Sequence, residues 1–192
     1  MKSFYYSTIK KSDFEKKVKR GNNYIASILI KDIDDENSLI ASCGYNHNVS
    51  EIEVESGYKD FLNHVHEREL ANAIRSKIDE ITEYDTSDNV NVFYINGIKT
   101  WLDKATRVGL VNSTNAMKSA GYARVTFWLD SIPISIPCKD AIDILESLER
   151  YALECFNVTA THKAQVSAFT NVDDVNRFDI TNGYPDVLSF TV

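Results

Sequence analysis

Cys155 and His162 are the residue types of a thiolate nucleophile and its base, and both fall on one predicted helix. Such a pair must touch. Seven helical residues separate side chains by about 10 Å, so Cys155 reads as a small core residue. His64-Val65-His66-Glu67 places two imidazoles at i and i+2, which point to different sides of a helix and do not share an ion. The HExxH spacing of zinc hydrolases is absent. Asp32-Ile33-Asp34-Asp35-Glu36-Asn37 resembles the start of a calcium loop, but the positions that need Gly and Glu hold Asn37 and Cys43. A solvated turn between strands is the better reading. Asp103, Lys104 and Arg107 follow Trp101 and gather an acid with two bases. Helix capping by Asp103 and exposed cations account for them. His47 lies in a Tyr-Asn-His-Asn turn with no identifiable partner. Nothing matches a phosphate loop, a nucleophile elbow or the glycines of a dinucleotide fold. No catalytic, cofactor-binding or metal residue is therefore assigned, and an enzyme is not expected.

The elements that carry these residues begin with a small β-rich module, residues 1–58. Phe4–Ile9 suits a strand. Ser12-Asp13-Phe14-Glu15 has the form of a capping box and predicts a short helix to Arg20, stopped by Gly21. Tyr24–Ile30, Leu39–Cys43 and Val49–Val54 are strand candidates, the last because Ile52 and Val54 alternate with glutamates. Tyr24–Ile30 and Leu39–Cys43 are expected to leave an edge that another chain completes. A charged helix comes next over residues 59–84, with a polar loop to residue 89. Leu70, Ile74 and Ile78 lie on its narrow apolar stripe, the pattern of a connector or of a seam with another chain.

Residues 90–192 read more clearly. Asn96-Gly97 between apolar runs predicts a hairpin, because both turn positions need positive φ. Asp103 caps a helix to about Met117. A second hairpin joins Arg124–Leu129 to Ile132–Pro137 across Asp130-Ser131, and its two prolines mark an edge strand. Ala141, Leu145, Leu148, Ala152 and Cys155 recur at helical spacing, and the phase continues through Thr159, His162, Val166 and Phe169. That predicts one helix of about 30 residues and about 45 Å, capped by Asp140, with β-branched residues near Asn157 weakening its middle. Asn171 starts a last short helix, Asn182-Gly183-Tyr184-Pro185 is a turn, and Val187–Val192 is a short strand or tail. The fold class is α+β: a β-rich N-terminal module, a connector helix, and a C-terminal module of two hairpins packed with a long helix and shorter ones.

Composition agrees with a folded chain and limits its partners. The 192 residues are 43% hydrophobic with only 7 Gly and 3 Pro, enough for a core. Ten Tyr and nine Phe suit both cores and protein interfaces. A net charge of −7 disfavours nucleic acid, and the basic run Lys10-Lys11 with Lys16-Lys17-Val18-Lys19-Arg20 reads as the solvated face of a short amphipathic segment. Three scattered cysteines make no disulfide framework. The first residues lack an apolar region of secretory type, and no stretch is long enough to span a membrane.

Tyr94-Ile95-Asn96-Gly97-Ile98-Lys99-Thr100-Trp101-Leu102-Asp103-Lys104-Ala105-Thr106-Arg107-Val108-Gly109-Leu110 is the most characteristic stretch. Val125-Thr126-Phe127-Trp128, Leu148-Glu149-Arg150-Tyr151-Ala152, His162-Lys163-Ala164-Gln165-Val166 and the close from Asp179 to Pro185 accompany it. Together they resemble a phage-associated domain of unknown function. It occurs in tail-fibre-type and neighbouring virion proteins of bacteriophages and prophages, including phages of gut Bacteroides. The resemblance covers about half of the chain, and its motifs are structural. It implies a virion structural protein, made in the host cytoplasm, that acts as a tail or fibre-attachment adaptor. Self-association and docking of other virion proteins are expected from the aromatic richness, the narrow-stripe helix and the acidic first module, and no cofactor, nucleic acid or membrane is expected. The structural and interface candidates are then Trp101, Asp103, Trp128, Leu148, Tyr151 and Tyr184, with Leu70, Ile74 and Ile78 on the connector. Two alternatives remain: a fibre-assembly chaperone that leaves before the virion is complete, and a small glycan-acting hydrolase, which needs paired carboxylates in a cleft.

Overall fold

Ser50-Glu51-Ile52-Glu53 decides where the first helix begins. The Glu53 N–H donates to Ser50 Oγ at 3.2 Å, and the Val54 N–H to the Ser50 carbonyl at 3.1 Å. Ser50 thus caps a helix whose first turn carries Glu51 and Glu53 at the positive end of its dipole. The structure is a computed structural model that describes residues 2–129 and 131–192. In it, helix α1 runs Glu51–Thr86. The strand expected over Val49–Val54 and the helix start expected at residue 59 are corrected accordingly. Val54 is buried and Ile52 is exposed, as two positions half a helical turn apart allow.

The chain divides into two units, Met1–Ala71 and Asn72–Val192, the division falling within α1. Both helices and strands are well represented, and the fold is α+β.

In unit 1, strands β1 (Tyr5–Lys10), β2 (Lys17–Arg20), β3 (Asn23–Asp32) and β4 (Asn37–Tyr45) form an antiparallel sheet of order β1-β4-β3-β2. Tyr24 pairs with Tyr45, Ala26 with Cys43 and Ile28 with Ala41. These side chains share one face and pack with Phe4, Val49, Val54, Tyr58 and Phe61, the last three from α1. The opposite face carries Tyr5, Ser7 and Ile9, then Ile40 and Ser42, then Ile25, Ser27 and Leu29. Ser27 and Ser42 join there by a 2.9 Å hydroxyl hydrogen bond.

Two further expectations for this unit are corrected. The Ser12 capping box does not form. Ser12 Oγ donates instead to Asp13 Oδ1, and Lys11–Asp13 makes a single 3-10 turn. Lys17–Arg20 then pairs with β3 as a strand, because the alternation of Lys17, Val18, Lys19 and Arg20 fits a half-wet sheet edge. The basic run is therefore strand, not helix. Leu39–Cys43, expected to offer an edge, lies in β4 between β1 and β3, and Tyr24–Ile30 lies in β3, which β2 pairs along Asn23–Ala26. The outer strands of the sheet are β1 and β2.

In unit 2, β5 (Phe93–Ile95) and β6 (Ile98–Thr100) form the hairpin expected at Asn96-Gly97, with φ of 50° and 79° at the turn. Helix α2 spans Lys104–Ser119. β7 (Arg124–Leu129) and β8 (Ile132–Pro137) make a two-stranded ribbon in which both strands are edges, as the prolines require. Asp130, part of its expected turn, lies outside the described residues. α3 (Cys138–Ser167) is unbroken at Asn157 and starts after Pro137, not at an Asp140 cap. α4 (Val172–Arg177) is capped by Asn171, and β9 (Ser189–Phe190) adds parallel to β5. The core joins Phe93, Ile95, Phe127, Leu129, Ile134 and Ile136 to Ala141, Leu145 and Leu148 of α3.

Candidate interaction surface

The expected residues of unit 2 separate into those that hold the fold and one that faces water. Leu148 is fully buried at the centre of the α3 stripe. Tyr151 is buried and donates its hydroxyl to the Val90 carbonyl at 2.8 Å, with the half-buried Trp101 ring edge-on at 6.2 Å. Asp103 caps α2. Its two carboxylate oxygens accept the Thr106 N–H at 2.9 Å and the Thr106 hydroxyl at 2.8 Å, and these bonds hold its pKa below the usual carboxylate value. Tyr184 donates to Thr159 Oγ1 at 2.8 Å, since the single Thr159 proton goes to Asp85 Oδ1 at 2.7 Å. Trp128 is 67% exposed, on the outer face of the β7–β8 ribbon opposite Pro133. Leu153 and Phe156 of α3 are also large apolar side chains left exposed.

Arg107 corrects the expectation of exposed cations. It is only 4% exposed, donates through Nε to Glu149 Oε1 at 2.9 Å and through Nη1 to the Leu102 carbonyl at 2.5 Å, and lies over the Trp101 ring at 5.4 Å. Arg107 thus ties α2, α3 and the segment after β6. The signal in the sequence was its place one turn into α2 beside Trp101, but a buried cation is rare enough that exposure is the default reading.

Cys155 and His162 stay apart, as their spacing demands, and their surroundings explain both. Burial raises the Cys155 thiol pKa, so it remains protonated near neutral pH. His162 is buried between the rings of Phe178 and Tyr184, at 5.2 and 5.7 Å. Tyr151, Cys155, Thr159 and His162 form one column on α3. Against it rest Tyr84 and Asp85, Val90, and the chain from Phe178 to Leu188. This column is a clasp for unit 2.

The acidic turn Asp32–Asn37 closes the β3–β4 hairpin. Asp34 Oδ1 accepts the N–H groups of Glu36 and Asn37 at 2.8 and 2.7 Å, and hydrogen bonds from Asn37 and Glu36 lower its pKa. His47 Nε2 lies 3.0 Å from Glu53, and His64 Nδ1 lies 3.8 Å from Glu67. Among the described residues, no group of three or more His, Cys, Asp or Glu is placed to hold a metal ion, and no helix is long and apolar enough to cross a membrane. Leu70, Ile74 and Ile78 are half-buried along α1, while Ile81 of the same stripe is fully buried.

Unit 1 presents a different kind of surface. Its sheet ends in two open edges with opposite chemistry. β2 is four residues long and three of them are cationic: Lys17, Lys19 and Arg20. Charge of one sign along a short strand deters another strand. β1 is six residues long, and Tyr5-Tyr6-Ser7-Thr8-Ile9 is uncharged, with Lys10 only at its end. Tyr5 is 73% exposed and Tyr6 is half-exposed. On the helix side Tyr6 meets Tyr58 hydroxyl to hydroxyl at 3.2 Å. Beside β3, a cavity of about 240 Å³ is walled by Phe14, Ala26, Ile28, Val49 and Val54, with the Lys16–Glu51 ion pair at its rim. No family model, no curated protein and no solved structure matches this chain.

Proposed function

We propose that this chain is a self-associating structural protein of a bacteriophage virion, a tail or fibre-attachment adaptor that docks other virion proteins and performs no catalysis. One observation carries the association: the uncharged, exposed edge of β1, set against the lysine-guarded edge of β2 in the same sheet. Unguarded strand edges of this length are what natural proteins cover or blunt unless they are used. The exposed Trp128 and Phe156 of unit 2 supply aromatic side chains of the sort enriched at protein interfaces. The phage setting rests on the resemblance of Val90–Val192 to the phage-associated domain. Mass spectrometry of purified virions tests it. The adaptor is expected at a reproducible copy number alongside tail or fibre proteins. Its presence in infected-cell lysate and absence from virions makes it an assembly chaperone instead.

A further inference from the structure

Hydrogen-bond direction in the unit 1 sheet can be traced strand by strand. The Ser27 N–H donates to the Lys16 carbonyl at 2.8 Å, on the β2 side. Backbone groups alternate along a strand, so Ala26 and Ile28 turn theirs toward β4. Through the registers Ala26 with Cys43, Ser7 with Ile40 and Tyr5 with Ser42, the residues of β1 bonded to β4 are Tyr5, Ser7 and Ile9. The Lys11 N–H, bonded to the Glu36 carbonyl at 2.8 Å, continues the same parity. Tyr6 and Thr8 therefore aim their N–H and C=O groups away from the sheet.

We infer that this edge pairs with the same edge of a second copy, antiparallel about a two-fold axis at Ser7, giving a continuous eight-stranded sheet. The inference rests on the self-association proposed above and names its surface and partner. Three features of β1 select a second copy. Four outward-pointing backbone groups, on Tyr6 and Thr8, are matched by the four of the other strand, because an isologous contact pairs i with j and j with i. Centring on Ser7 puts Tyr6 opposite Thr8 in hydrogen-bonded pairs and Tyr5 opposite Ile9, an aromatic facing a β-branched residue. It also pairs the whole uncharged run and leaves Lys10 outside it. At β2 the same operation, centred on Val18, would oppose Lys17 of each copy to Lys19 of the other, with like charges directly across.

Light scattering on the full-length chain gives the test, with three variants. The wild type is expected at twice the chain mass. Thr8→Pro removes an N–H that only the second copy uses and sits on an edge where proline is tolerated. It is expected to give a monomer with an unchanged far-ultraviolet spectrum. Ser7→Lys opposes two ammonium groups at the axis and is expected to do the same. Ser7→Cys lies at a pair without mutual hydrogen bonds, where Cα atoms are about 4.5 Å apart, within disulfide reach. Oxidation is expected to yield a covalent dimer on a denaturing gel. A wild-type monomer overturns both this interface and the proposed self-association. A wild-type oligomer whose mass survives Thr8→Pro and Ser7→Lys leaves self-association standing and overturns the β1 edge. Failure of Ser7→Cys to cross-link overturns the Ser7-centred register.

Discussion

The buried guanidinium of Arg107 meets the carboxylate of Glu149 at 2.9 Å while the Glu149 side chain keeps 40% of its surface in water. The pair is half in the core and half out, which sets its energetics. Removing one partner of a fully buried pair costs about 3–5 kcal/mol. The wet carboxylate lowers that, so Arg107→Ala is expected to destabilise by about 2–4 kcal/mol in urea unfolding. Arg107→Lys should recover little, because one ammonium cannot reach Glu149 and the Leu102 carbonyl in the same fork. A loss under about 0.5 kcal/mol, the range of ordinary surface changes, would contradict the assigned role.

Two serines carry the same local pattern, and the structure uses one. Ser50→Ala removes a formed cap and is expected to cost about 1 kcal/mol. Ser12→Ala removes a hydroxyl that bonds only its exposed neighbour Asp13, and is expected to stay within about 0.5 kcal/mol of wild type. Paired denaturant titrations measure the difference. Equal costs, or a larger one at Ser12, would reverse the assignment of the helix start.

The contrast between these serines also shows how far the sequence could be read. Each Ser-x-x-Glu pattern is a sufficient local start signal, and the residues downstream decide which serine caps a helix. Ser50 precedes a long run of helix formers, whereas Ser12 precedes Lys17–Arg20, whose alternation is completed by pairing with Asn23–Ala26. The Asn96-Gly97 hairpin, the Asp103 and Asn171 caps and the α3 stripe were legible because they depend on neighbours within a few residues. The order β1-β4-β3-β2 was not legible, because it depends on contacts across the whole unit. For that reason β1 was readable as a strand over Phe4–Ile9 but not as the open edge. Arg107 was missed for the same reason: Glu149 lies far along the chain, and only the fold brings it near.

Asp103 offers a pH test of the α2 cap. Its folded-state pKa is depressed, chiefly by the Thr106 backbone N–H. A depressed carboxylate contributes stability above its unfolded pKa, about 3.9, and loses it as pH falls through the lower folded value. Asp103→Ala is therefore expected to melt below wild type at neutral pH, with the gap closing as the pH drops below about 4. A gap that stays constant from neutral pH down to about pH 2 would exclude the carboxylate as its source.

Amide hydrogen exchange at β1 tests the self-association most directly. In a single copy the Ser7 N–H is bonded to β4, while those of Tyr6 and Thr8 face solvent. In the paired state all three are bonded. Protection at Tyr6 and Thr8 is expected to rise with protein concentration while Ser7 remains protected throughout. Fast exchange at Tyr6 and Thr8 that does not change with concentration would contradict it.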